Sequence, residues 1–201
     1  GQTLASSPSD RLLTKATAAF PPEVFTLPHV QSLFFVECFT NPAATMALAL
    51  PPPANLLATG LQQLSIRANP ALASLRSLQV LTISQNGLVH GEIPPGIGDL
   101  TSLLRLDLSY NSLSGPVPSQ IGQLKSLVSL DLSYNSLSGA IPSRLGELRQ
   151  LQKLDLSSNN LTAGIPDAVA NLTSLTFLAL SNNGLTGRFP PGISGLRSLQ
   201  Y

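Results

Sequence analysis

Residues 103–126 read LLRLDLSYNSLSGPVPSQIGQLKS, and residues 127–150 read LVSLDLSYNSLSGAIPSRLGELRQ. Laid one over the other they coincide at nearly every apolar site. Equivalent leucines recur at Leu103, Leu127, Leu151, Leu175 and Leu199, a constant step of 24 residues. A fixed period of this size marks an array of one supersecondary unit, and it takes precedence over any local reading. Within the first full unit the apolar residues are Leu103, Leu106, Leu108, Leu113, Val117, Ile121 and Leu124, with Asn111 between them. The following units repeat these offsets.

Each unit opens with Leu-x-x-Leu-x-Leu, whose alternation turns two side chains inward and their neighbours outward, as a short half-buried strand requires. Stacked units then form a parallel sheet. An asparagine follows three residues after the last strand leucine (Asn86, Asn111, Asn135, Asn159, Asn183). There its amide can satisfy buried backbone groups of the turn and of the adjacent coil, each of which would cost about 1 to 3 kcal/mol if left unpaired. The Gly and Pro residues that follow, as in Gly115 to Pro118 or Gly139 to Pro142, favour an extended return path. The expected architecture is a leucine-rich repeat solenoid, a right-handed superhelix of α/β type. Its concave face is a parallel β-sheet and its convex side is mostly irregular or short strand.

Extending the frame backwards places further units at Leu78, which carries one inserted residue before Gly91, at Leu61 and at Leu33. The expected organisation is a flank or degenerate repeat over residues 1–32, then repeats over 33–201 with units starting near 33, 61, 78, 103, 127, 151 and 175. A truncated unit opens at Leu199. A single coil cannot close its own core, so both ends need caps. The N-terminus carries no initiator Met or signal-like segment and the chain stops inside a unit, so the expectation is a trimmed start and a native protein that continues past Tyr201.

Composition excludes several classes. Charged residues make up 10% of the chain, far below the roughly 25% of an average domain. The 11 basic and 10 acidic residues give a net charge of +1, without the clustered Lys and Arg that a phosphate backbone demands. Nucleic acid is not an expected partner. The single cysteine permits no intrachain disulfide, and no Cys/His cluster has zinc-ligand spacing. The most apolar early stretch, Ala43 to Ala58, is broken by Pro51, Pro52 and Pro53 and falls short of the about 18 residues of a spanning helix. No Gly-x-Ser-x-Gly elbow, phosphate-binding glycine loop or converging acid/base pair occurs. No catalytic residue, metal ligand or cofactor is expected.

The segments LDLSYNSLSGPVPSQIGQLKS, LDLSYNSLSGAIPSRLGELRQ and LALSNNGLTGRFPPGISGLRS resemble the plant-specific consensus Leu-x-x-Leu-x-Leu-x-x-Asn-x-Leu-Ser-Gly-x-Ile-Pro-x-x-Leu-Gly-x-Leu-x-x. The likeness covers about residues 61 to 201. The stretches SLFFVECFTNP and LSIRANPAL further resemble the plant receptor-like proteins related to Too Many Mouths, including the group numbered 29. The resemblance implies a glycosylated ectodomain, on the extracellular face of the plasma membrane or secreted. Such a module lacks a kinase and pairs with receptor kinase ectodomains or presents a surface to a protein or peptide ligand. Two departures stand out. The cysteine-paired caps of the family are absent, and Ala163-Gly164 stands where the pattern places Gly first.

Binding is expected on the outward strand positions, which form one regularly spaced surface. The third position of successive units holds Arg105, Ser129, Lys153 and Phe177; the fifth holds Asp107, Asp131 and Asp155; the eighth holds Tyr110 and Tyr134. An acidic strip beside two tyrosines suits a basic or hydroxyl-bearing ligand. The Asp and Tyr columns also belong to the repeat consensus, where they serve as solvated strand residues. Arg105, Lys153 and Phe177 depart further from it. Phe35 and Phe39 are expected to pack beneath the apolar insert, Cys38 to act as a small core hydrophobe, and His29 and His90 to lie in turn-like surface segments.

Two acceptor sequons occur, at Asn160 and Asn171. The leading functional expectation is a recognition module whose membrane contact, if any, comes from a segment absent here. The others are a secreted inhibitor of wall-degrading enzymes similar to the polygalacturonase inhibitors, a receptor kinase ectodomain, or an intracellular adaptor scaffold.

Overall fold

The structure, a computed structural model, describes residues 78–200 and, ahead of them, the backbone of strands β1 (Asp10–Leu13) and β2 (Ser32–Val36). For residues 86–88 it describes the backbone only. The unit placed at Leu61, together with His29, Cys38, Phe39 and the side chain of Phe35, lies outside the described residues.

Each Leu-x-x-Leu-x-Leu segment from Leu78 onward contributes one short strand: β3 (Val80–Ser84), β5 (Arg105–Asp107), β7 (Ser129–Asp131), β9 (Lys153–Asp155) and β11 (Phe177–Ala179). With β1 and β2 they form a seven-stranded parallel sheet in the order β1-β2-β3-β5-β7-β9-β11. Arg105 aligns with Ser129, and Ser129 with Lys153, so the sheet register reproduces the sequence period of 24. A second parallel sheet, order β10-β8-β6-β4, is built from β4 (Asn86–Glu92), β6 (Asn111–Pro116), β8 (Ser136–Ala140) and β10 (Asn160–Thr162). His90 belongs to this sheet, half-buried in β4 opposite Ser112, rather than to a turn. The inserted residue of its unit is absorbed as a register shift between Asn86 and His90, which leaves the strand intact.

The chain leaves each first-sheet strand through a left-handed residue at the eighth position: Gln85, Tyr110, Tyr134, Ser158 and Asn182 all have φ between 53° and 58°. A second left-handed residue ends the second-sheet segment. Gly91, Gly115, Gly139 and Gly187 take it without steric cost, and Ala163 takes it at φ 64°. The consensus departure at Ala163 therefore keeps the backbone path and carries the strain itself.

The return path holds more order than the Gly/Pro pattern led one to expect. After an extended proline, Pro94, Pro118, Pro142, Pro166 and Pro190 each precede a five-residue 3-10 turn, the first at Pro95–Asp99 and the last at Pro191–Gly195. Bonds of the 3-10 type run on from there, Ile121 N to Pro118 O, Leu124 N to Ile121 O and Leu127 N to Leu124 O, delivering the chain to the next strand. Neighbouring turns approach backbone to backbone. A Cβ on Gly122 or Gly146 would overlap the carbonyl oxygen of Arg144 or Ala168. Where the next coil has Ala170 at that site, the opposed residue is Gly192, which has no side chain to clash.

The core is a single column of leucines between the two sheets and the turns. Leu103, Leu106, Leu108, Leu113, Val117, Ile121 and Leu124, with their counterparts in the next coil, are all buried. Burial at about 25 cal/mol per Å² of apolar surface makes contact between coils the main source of stability.

Candidate binding face

The candidate side chains proposed for ligand contact lie on the strands of the seven-stranded sheet and, for Tyr110 and Tyr134, in the turns that follow them, and they are held in different states. The aspartates are the most constrained. Asp107 accepts from the backbone N–H of Ser109 at 3.1 Å and from its hydroxyl at 2.7 Å. Asp131 does the same with Ser133 at 3.1 and 2.6 Å, and Asp155 with Ser157 at 3.1 and 2.6 Å. One carboxylate oxygen of each residue thus closes the strand end where the left-handed turn leaves N–H groups without ladder partners. The recurring Asp-Leu-Ser triplet is the sequence signal for this role.

Two of the three also hold cations. Arg105 lies 3.5 Å from Asp107 within its own strand, and Lys153 reaches back one coil to Asp131 at 2.6 Å. Burial pushes the Asp131 carboxyl upward, but hydrogen bonds from Lys153 and Ser133 and the Lys153 charge outweigh it and hold the group below the ordinary carboxylate range. The Lys153 ammonium also sits 5.6 Å from the centroid of the Phe177 ring, within cation–π reach. Asp131, Lys153 and Phe177 form one linked cluster across three coils.

Tyr110 and Tyr134 form another. Both have a left-handed backbone, and their rings stack with centroids 4.2 Å apart and planes 9° apart. Each is 48% exposed, beside Phe177 at 44% and Leu104 at 39%. The Tyr110 phenol is held above its ordinary value by desolvation, then by the Tyr134 hydroxyl and the charges of Asp131 and Asp155. The 24-residue spacing of the tyrosines was the available signal for the stack; Leu104, at the second position of its unit, had not been singled out.

Beneath the face runs the asparagine ladder. The Asn135 amide donates to Leu108 O at 2.9 Å and Leu132 O at 3.1 Å, while its carbonyl accepts from the Leu113 N–H at 3.0 Å. Asn159 repeats this one coil later, donating to Leu132 O at 3.0 Å and accepting from Leu137 N–H at 2.9 Å. Asn183 donates to Leu156 O at 2.9 Å and accepts from Leu161 N–H at 3.0 Å. Asn111 donates to Ile83 O at 2.7 Å and Leu108 O at 2.9 Å. Every one of these amides spans two coils. Asn86 starts β4 in register with Asn111, and its side chain is outside the described residues.

The sequon asparagines lie elsewhere. Asn171 is exposed at the end of the 3-10 turn Asp167–Asn171, and Asn160 is exposed at the start of β10. Both are away from the sheet face. Among the described residues no group of three His, Cys, Asp or Glu side chains could hold a metal ion.

A stacked parallel sheet with an asparagine ladder and 3-10 turns defines a class, and comparison with known sequences agrees: residues 76–137 and 149–201 match the family model described as leucine rich repeat. The chain belongs to the leucine-rich repeat family. Within it the chain is similar to Receptor like protein 29 of Arabidopsis thaliana, 54% identical over 80 residues, which cover 36% of this chain and 17% of that relative. Among solved structures it is similar to the plant peptide hormone receptor RGFR1 in complex with RGF2, at 33% identity and TM-score 0.69, over 90% of this chain and 29% of that one. It is also similar to the Arabidopsis receptor kinase HAESA in complex with the peptide hormone IDA and the co-receptor SERK1, at 29% identity and TM-score 0.69, over 90% of this chain and 27% of that one. The chain thus spans less than a third of the length of each.

Proposed function

We propose that this chain is part of a plant receptor-like ectodomain, facing the cell exterior, that recognises a protein or peptide through the outer surface of its seven-stranded sheet. The observation that carries the reading is the pair of linked clusters, the Tyr110–Tyr134 stack and the Asp131–Lys153–Phe177 cluster, each with an exposed aromatic ring. Aromatic and cationic groups anchored on a preorganised scaffold are what binding hot spots are made of. Arg105, Asp107 and Asp155 complete the surface. The solved structures of RGFR1 and HAESA hold peptide hormones, and that of HAESA also a co-receptor, which supports a peptide or a receptor kinase ectodomain as the partner class. The role is non-catalytic. In such a setting Asn171, exposed on the far side of its coil, accepts a glycan that leaves the face clear, and Asn160 is the second acceptor.

The test is a binding screen of the chain against receptor kinase ectodomains and synthetic peptide hormones by biolayer interferometry. Two double variants follow, Tyr110→Ala with Tyr134→Ala and Lys153→Ala with Phe177→Ala. Each should weaken the captured partner by about tenfold or more while the melting temperature stays near that of the parent. A partner bound equally well by both variants would place recognition off this face. Inhibition of a wall-degrading hydrolase with no ectodomain or peptide bound would replace the receptor reading with the inhibitor one.

A further inference from the structure

On the sheet face the fifth-position carboxylates find their counter-charge at third positions, Asp107 from Arg105 of its own strand and Asp131 from Lys153 of the next coil, which leaves the own-strand Lys153 of Asp155 already bound. One coil further on, the third position is Phe177. Among the described residues Asp155 consequently has no cation within ion-pair distance. Its Oδ1 accepts from the Ser157 N–H and hydroxyl, and its Oδ2 has no bonded partner among the described residues.

The surroundings of Asp155 also differ in shape. In register with it on one side stands Asp131, already neutralised; on the other stands Ala179, a single methyl. The side chain on that flank is therefore the smallest of its column. The exposed Phe177 stands two residues before Ala179 on the same strand. Ser158 and Asn182 follow their strands, joined by a long 3.3 Å bond from the Asn182 amide to the Ser158 hydroxyl. Strands about 4.8 Å apart set two aspartates side by side, so Asp131, Lys153 and Asp155 together carry one uncompensated negative charge.

We propose that the small side chain of Ala179 leaves a depression beside Asp155 that receives an arginine side chain of the protein or peptide partner, its guanidinium on the free oxygen of Asp155 and against the ring of Phe177. The inference rests on the reading of the sheet face as a recognition surface. A guanidinium fits better than an ammonium because it is planar, weakly hydrated and able to stack on an aromatic ring while its remaining N–H groups reach the Ser158 hydroxyl. Lys153 is bound to Asp131 and does not fill the place.

The probe is N-acetyl-arginine amide, titrated into the full-length ¹⁵N-labelled chain, with the lysine and citrulline amides as cationic and neutral comparators. Saturable shifts are expected at the amides of Ser157, Ser158 and Ala179 with the arginine probe, about fivefold weaker with lysine and absent with citrulline. Asp155→Asn, whose side-chain oxygen still accepts from Ser157, should abolish them, and Asp107→Asn should not. Absence of saturable shifts, or shifts that survive Asp155→Asn, would overturn the proposal. A partner captured by the face yet indifferent to Asp155→Asn would overturn it while the recognition reading stands. Shifts that depend on Asp155 on a chain for which no partner is found would leave the depression established and count against the recognition reading alone.

Discussion

In the coils that begin at Leu103 and Leu127 every inward apolar side chain is at most 3% exposed; in the coil that begins at Leu175 the same positions hold Leu178, Leu180 and Leu185, all only partly buried. The contrast is sharpest at one site. Val117 and Ile141 are 3% exposed, and Phe189, which occupies the same place in the repeat, is 67% exposed. The backbones match, down to the left-handed residue at Asn182 and the 3-10 turn at Pro191–Gly195. What differs is the number of covering neighbours, two for an inner coil and one for the last described coil. A leucine here is buried by the coil on either side, and the coil it belongs to does little for it.

The largest effect that can break this comparison is truncation of a strand leucine. Leu154→Ala, inside the stack, should cost about 3 to 4 kcal/mol, and Leu178→Ala about half of that, because cavity cost depends on how completely the site is enclosed. Urea unfolding with a common m-value reads both. Equal losses would show that each coil stabilises itself and would defeat the picture of stability shared between coils.

The asparagine ladder offers the next contrast. Asn159→Ala removes a buried amide that serves Leu132 O and the Leu137 N–H in the preceding coil, with an expected cost of about 2 to 3 kcal/mol. Asn183→Ala removes the same bonds where they are only partly buried, so water replaces some of them and the cost should fall to about 1 kcal/mol. Amide hydrogen exchange offers a local check: protection at Leu137 should collapse in the first variant.

The regular part of this design was legible in advance. The 24-residue step between equivalent leucines placed Leu106, Leu108, Leu113, Ile121 and Leu124 in the core because burial on a repeating backbone leaves a periodic trace. Departures from regular backbone leave none of that kind. The left-handed eighth position is filled by Gln85, Tyr110, Tyr134, Ser158 and Asn182, residues with nothing in common that a pattern could detect. The candidate face was half legible: its columns were identified by spacing, while the division of labour among three identical aspartates depends on which third-position cation reaches each, Arg105 of its own strand for Asp107, Lys153 of the next coil for Asp131 and none for Asp155. His90 was misplaced because an inserted residue looks like a turn in sequence and is absorbed as a shift of register in a sheet.

Ala163 sharpens the comparison among inner coils. It holds φ 64° where Gly115, Gly139 and Gly187 sit at 73° to 85°, and it is exposed. Ala163→Gly relieves the left-handed strain, worth about 1 to 2 kcal/mol, against the entropy glycine loses on folding, about 0.5 to 1 kcal/mol. A net stabilisation of about 0.5 to 1 kcal/mol should follow, visible as a higher urea midpoint; a lower one would mean that the methyl group makes a contact worth more than the strain.

The smallest effect concerns charge, and it separates two coils with the same aspartate. The folded-state carboxyl of Asp131 lies below its ordinary value, so the pair with Lys153 contributes stability that is present above the ordinary carboxylate range near pH 4 and is lost as the pH falls through the lower folded value. Because both side chains are partly solvated, the contribution should be no more than a few tenths of a kcal/mol, as for other exposed pairs. Lys153→Met removes the partner and should flatten the fall in urea midpoint between neutral and acid pH by about that amount. Phe177→Met, at the equivalent position one coil on, should leave the acid fall unchanged, since Asp155 has no cation there to lose. If both variants flatten it equally, the two carboxylates share their environment and the asymmetry that singles out Asp155 does not exist in solution.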